Sequence, residues 1–305
     1  MYKRGQLKHL STAFNLLKEA FKQWQQDNAS QLAAALAYYT VFSLTPLLIV
    51  AIAIAGSIFG QKAAEGEIIA QIRSLVGSSG ADAIETLLNN ASQPEIKSFA
   101  SLVSLAILFI GASGVFAQLQ EALNRIWHVT DTKKGGIIEL IRKRILSFAM
   151  VLVIGFLLLV SLILSAVISA LSNFGSNYLL GWDFLWIFLN FSLSFILTTL
   201  LFAAIYKFLP DAFISWKDVW VGAIFTSLLF SLGQYLLGVY LGKSSLGSAY
   251  GAAGSFVVLL AWVYYSAQIL LFGAELTQVY ARKFGTKIIK SKREIKRKNN
   301  ILKRK

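Results

Sequence analysis

The side chains in this chain that could do chemistry are mostly hydroxyls and amides set inside apolar runs. Tyr39, Ser43, Thr45 and Pro46 fall in one such run, and Gln234, Tyr235, Tyr250 and Gly251 in another region rich in glycine. Pro46 has no amide proton to donate, so a carbonyl one turn earlier is freed. A freed carbonyl and nearby hydroxyls can hold a polar solute or Na⁺. The same groups also serve as ties between neighbouring helices. Two ionisable residues, Lys207 and Glu275, stand at the ends of apolar runs. Either they pair and form the inner gate of a cavity, or Lys207 snorkels to the headgroups and Glu275 faces water.

The same inventory excludes much. The chain has no Cys, which rules out thiolate chemistry, and its only histidines, His9 and His128, leave little for a multi-histidine metal site. No nucleophile–base arrangement or HxH or DxD cluster occurs, which argues against an enzyme and predicts neither catalytic residue, metal nor cofactor. No apolar run carries a charge near its middle. That lowers a proton antiporter without removing it.

The elements that must position these groups are long apolar helices. Ala33–Phe59 contains no Asp, Glu, Lys or Arg. At about 1.5 Å per residue it can cross a hydrocarbon layer of roughly 30 Å. Pro46 makes it either a plain kinked span or a bent helix lining a cavity. Further spans are expected from about Phe99, at Leu146–Leu171, Leu185–Leu209, Asp218–Leu241 and Gly251–Glu275. The fold class is therefore all-α: a polytopic membrane protein with six transmembrane helices. Gly111 and Gly114 offer close approach to another helix, and the second span's pattern continues through Gln118, Leu123, Asn124 and Trp127.

Around these spans three regions are distinguished. Residues 1–30 carry Leu7, Leu10, Phe14, Leu17, Phe21 and Trp24 at spacings of three and four, one apolar stripe on a helix. That helix lies on the inner membrane surface or packs on the rest of the protein. Residues 31–282 form the membrane domain. Its loop, 60–98, should hold two short amphipathic helices separated by the Gly77–Gly80 turn. Residues 283–305 are a basic tail.

At 56% hydrophobic and 14% charged residues the chain is too apolar for a water-soluble domain. Its net charge of +14 calls for an anionic partner, met at least cost by anionic lipid on the cytoplasmic face. The tail lacks interleaved aromatics for base stacking, so no nucleic-acid partner is expected. With both termini cytoplasmic, Lys and Arg concentrate in the inner segments and tail, leaving outside only Lys62, Arg73, Lys97 and Lys243. No cleavable signal is evident.

Several motifs in order carry a resemblance. They are Asp27 with LAAALAYYTVFSLTP (Leu32–Pro46), EALNRIW (Glu121–Trp127) with Arg144, LPD (Leu209–Asp211) with Trp216 and Gly222, and Tyr235 and Tyr240. YGAAGS (Tyr250–Ser255), AWVYYS (Ala261–Ser266) and FGAEL (Phe272–Leu276) complete the series. Over about Ala20–Arg282 the chain resembles the YihY/BrkB family of bacterial inner-membrane proteins. The resemblance implies a six-helix protein of the plasma (inner) membrane with transport-like roles and no settled activity. The family's older ribonuclease label does not fit the residues, for want of clustered metal ligands. The expected function is a transporter or a lipid- or solute-translocating protein; the alternative is a non-transporting membrane scaffold or envelope-associated factor. Membrane lipids, and a small solute, ion or lipid as substrate, are the expected partners. Oligomeric state is not readable.

The topology predicts that Ser79→Cys and Ser291→Cys are labelled by an impermeant maleimide from opposite sides of the membrane. Labelling from the same side contradicts it.

Overall fold

A computed structural model describes residues 2–91, 114–129, 160, 183–243 and 254–285. Among these residues every regular element is an α-helix. In chain order they are α1 (Tyr2–Gln26), α2 (Ala29–Phe59), α3 (Gln61–Val76), α4 (Ser78–Ala91), α5 (114–126), α6 (Asp183–Phe208), α7 (Trp216–Lys243) and α8 (Gly254–Phe284). Four of them, α2, α6, α7 and α8, hold segments long and apolar enough to cross a membrane. They correspond to the first, fourth, fifth and sixth expected spans. The third expected span, most of the second, and the basic tail lie outside the described residues.

α1 and α2 are one long rod broken at Asp27–Asn28. Asn28 takes a left-handed conformation (φ 54°), which asparagine tolerates better than most residues. Pro46 does not break α2, which is helical on both sides of it. α1 packs on the rest of the protein over part of its length. Its Leu16, Leu17 and Ala20 meet Leu276 and Val279 of α8. Phe14 and Phe21 stay exposed on the opposite side.

α3 and α4 form the expected helical pair, turned at Gly77 (φ 84°), a backbone conformation that glycine takes without strain. Ile68, Val76, Ala83, Ile84 and Leu88 bury against Val41, Leu48 and Ile52 of α2 and Leu259 and Val263 of α8. Arg73 bridges to Asp82 (3.2 Å) and Glu85 (3.5 Å) on the exposed side.

α6, α7 and α8 pack where glycine faces a hydroxyl residue. A Cβ on Gly222 of α7 would collide with the Thr277 hydroxyl of α8, and one on Gly273 with Thr226 and Tyr206. The Tyr206 hydroxyl donates to the Leu270 carbonyl (2.8 Å) and lies 2.9 Å from Thr226 Oγ1. Without a hydrophobic drive between helices in lipid, such close approach and hydrogen bonding supply the adhesion. The main core adds Leu123, Ile126 and Trp127 of the α5 region to Ala29, Ala33, Phe202, Tyr206 and Leu271. Gly114 of α5 abuts Ser43 and Tyr39, the close approach expected of it.

Candidate functional site

Four polar residues recur on the α1–α2 rod at steps of four, four and three: Glu19, Gln23, Asp27 and Ser30. On α8 Tyr264, Gln268, Glu275, Gln278 and Arg282 fall on one face at helical spacing. The two elements run antiparallel, and the two rows meet in register. Glu19 bonds Arg282 (3.3 Å). Gln23, with its amide turned to satisfy both ends, donates to Gln278 (3.1 Å) and accepts from Arg282 at 2.6 and 2.8 Å. Asp27 stands opposite Glu275, within hydrogen-bonding reach of its carboxyl. Ser30 Oγ accepts from Gln268 (2.9 Å) and lies 3.2 Å from the Tyr264 hydroxyl.

The character of this seam changes along its length. At the Arg282 end it is half-exposed and its charges cancel. At Glu275 it is closed: that residue is 0% exposed. Glu275 Oε1 and Oε2 and Asp27 Oδ2 are buried without a hydrogen-bond donor. Gln268 Oε1 is likewise unpartnered, as are the indole nitrogens of Trp24 and Trp127. His128 approaches from the end of α5, with Nδ1 3.9 Å from Asp27 Oδ2. That nitrogen is closer to the Ile126 carbonyl (2.9 Å), which takes its proton. Asp27 also sits just before the N-terminus of α2, where the helix dipole favours negative charge.

A second polar cluster joins α5 to the turn after α6. The Asp211 amide donates to Asn124 Oδ1 (2.8 Å), and the Asp211 carboxylate accepts from Asn124 (3.1 Å) and Gln120 (3.3 Å). This clasp links the EALNRIW and LPD motifs.

The structure does not pair Lys207 with Glu275. Lys207 follows α6 to its end, donates to the Ile214 carbonyl and lies over the Trp216 ring at 5.4 Å. Glu275 is not at a helix end, since α8 continues to Phe284, and its side chain turns to the α1–α2 rod. The sequence does not carry the direction each side chain takes around its helix. Of the expected cavity residues, Tyr39 and Ser43 both stand against Gly114. Ser43 is buried beneath Gly114, Thr45 and Pro46 are half-buried, and Tyr39 (45%) and Tyr235 (70%) are exposed. Gln234 is half-buried, and Tyr250 and Gly251 lie outside the described residues. A cavity of about 390 Å³ does open elsewhere, between the end of α2 and α3–α4, lined by Ile49, Ile52, Gly56, Ser57, Gln61 and Glu65 among others. Sequence reasoning missed the seam because it followed only the apolar stripe of α1. The signal was present in the polar residues at 19, 23, 27 and 30 beside it.

These features define a helical membrane protein with an ionisable seam between α1–α2 and α8. The chain matches the family Virulence factor BrkB over residues 20–297, and it belongs to that family. It is similar to a UPF0761 membrane protein of Psychrobacter sp. (strain PRwf-1), 29% identical over 268 residues that are 87% of this chain and 48% of that protein. It is also similar to UPF0761 membrane proteins of Verminephrobacter eiseniae (29% identical; 87% of this chain, 61% of that one) and Psychromonas ingrahamii (27%; 88% of each). The chain thus spans about half the length of the first of these relatives and about three-fifths of the second. No solved structure matches it.

The clasp predicts strong coupling between Asn124 and Asp211. Asn124→Ala and Asp211→Ala should each lower stability in detergent. A double-mutant cycle should return a coupling of about 1–3 kcal/mol, as for hydrogen bonds to a charged group. Additive losses would mean the two residues act separately.

Proposed function

We propose that the protein is a transporter or a lipid- or solute-translocating protein of the bacterial inner membrane, with six spans and both termini in the cytoplasm. One observation carries this reading: a glutamate buried inside a span-grade helix, facing an aspartate rather than a cation. Placing an ionisable group at membrane depth costs a few kcal/mol, and such groups mark substrate or ion pathways. A helix needed only as an anchor would carry an apolar residue there. The seam also runs from a solvated, charge-balanced end to a dry, unbalanced centre, as the mouth and interior of a path would. The scaffold alternative draws support from Phe14 and Phe21, which leave an apolar face of α1 uncovered for lipid or another protein.

The test is flux through reconstituted liposomes against a panel of ions, polar solutes and fluorescent lipids. The wild-type protein should move at least one of them, and Glu275→Gln should slow that flux by about tenfold or more while remaining monodisperse in detergent. An inert protein across the panel would remove the transport reading and leave the scaffold.

A further inference from the structure

We infer that Asp27 and Glu275 form a binding site for a single monovalent cation, either a proton or Na⁺. This deepens the transport reading by naming a coupling ion, but the site can be measured without any flux.

The first argument is the set of orphaned oxygens. Glu275 Oε1 and Oε2 and Asp27 Oδ2 are buried with no donor, and the next polar atom along the seam, Gln268 Oε1, is an unpartnered acceptor too. All four are oxygens, and the two orphaned donors, the indole N–H groups of Trp24 and Trp127, reach none of them, so the acceptors here outnumber the available protons. A buried carboxylate without a partner is among the costliest groups a fold can carry, and two facing each other add repulsion. A cation between them removes both costs.

The second argument is that, among the described residues, no cation bonds either carboxyl, although Arg282 acts on Glu275 from a distance. Arg282 is held by Glu19 and the Gln23 amide oxygen, toward the exposed end of the seam. Lys207 is spent on the Ile214 carbonyl and the Trp216 ring. His128 is 3.9 Å from Asp27, beyond hydrogen-bonding distance, and half-exposed. Glu19 is the other acid in the row, and Arg282 neutralises it.

The third argument selects the charge of the occupant. One positive charge leaves the pair singly negative, which the N-terminus of α2 beside Asp27 helps to offset. A divalent ion requires more ligands: Ca²⁺ takes about six to eight oxygens. Among the described residues no three His, Cys, Asp or Glu side chains group closely enough to hold a metal ion. A proton needs only the two carboxyls, shared as one strong O–H···O⁻ bond. Na⁺ would draw in addition on carbonyls or water.

The experiment uses the full chain purified in detergent. Its melting temperature is followed against NaCl, with choline and potassium chloride at equal ionic strength as controls, and separately across the neutral pH range. A ligand that binds only the folded state raises the melting temperature. For Na⁺, the wild type should melt higher in NaCl alone. For a proton, it should melt higher as the pH falls, and its infrared spectrum should show a buried carboxylic-acid C=O stretch that titrates. Either response should vanish in Asp27→Asn and in Glu275→Gln and persist in His128→Asn. Should the two carboxyl variants fail to fold, the wild-type infrared and Na⁺ data decide alone. Absence of both a titrating buried carboxylic acid and a Na⁺-specific stabilisation overturns the site, as does the same response in Glu275→Gln. Cation binding without flux would defeat the transport reading and keep the site. Flux indifferent to both cations would defeat the coupling role and keep transport.

Discussion

A polar group at membrane depth has to be satisfied by the protein, because the hydrocarbon offers it nothing. α8 takes this constraint furthest. Along one face it carries a tyrosine, a glutamine, a glutamate, a second glutamine and an arginine, and that face cannot be turned to lipid. It is turned instead to the α1–α2 rod, whose own polar row matches it in register. That row continues from α1 onto α2 across the break at Asn28. Three of the four steps along the seam are hydrogen-bonded. The remaining one sets carboxyl against carboxyl.

The rotation of α8 that produces this seam is fixed from its other side. Gly222 against Thr277, and Gly273 against Thr226 and Tyr206, bring α6, α7 and α8 to contact distances that a side chain larger than hydrogen would not allow. Tyr206 then bonds across to the Leu270 carbonyl, next to the close-packed glycine. With one face of α8 committed to α7, its opposite face presents Gln268 and Glu275 to Ser30 and Asp27. α3 and α4 close over Leu259 and Val263 nearer the start of α8, away from the seam. Adhesion through small residues and hydroxyls on one side thus imposes the electrostatic arrangement on the other.

Helix existence and extent were legible from composition because spanning a membrane is a matter of length and apolarity. The expected spans at Ala33–Phe59, Leu185–Leu209 and Asp218–Leu241 lie within a few residues of α2, α6 and α7. The expected last span ends at Glu275, whereas α8 runs on to Phe284 with Glu275 enclosed. What a sequence does not carry is azimuth. Lys207 and Glu275 could be placed at similar depth, but only packing shows that one turns to Trp216 and the other to Asp27. Tyr235 is a case of the same kind: a polar-tipped residue in a span reads as a cavity group, and here it points outward. Asp27 and the FGAEL segment were singled out as motif residues far apart in the chain. Their contact across the seam is a physical reason for both.

The central claim is that the row on the α1–α2 rod meets the row on α8 in this register. The chain contains no cysteine, so pairs can be introduced without background. A disulfide needs Cα atoms within about 7 Å, so a short bifunctional thiol reagent is used in intact membranes to span side chains that meet at their tips. Asp27→Cys with Glu275→Cys, and Ser30→Cys with Gln268→Cys, should each be cross-linked by it, while Lys207→Cys with Glu275→Cys should not. A Lys207–Glu275 cross-link with none at the two seam pairs would contradict the account.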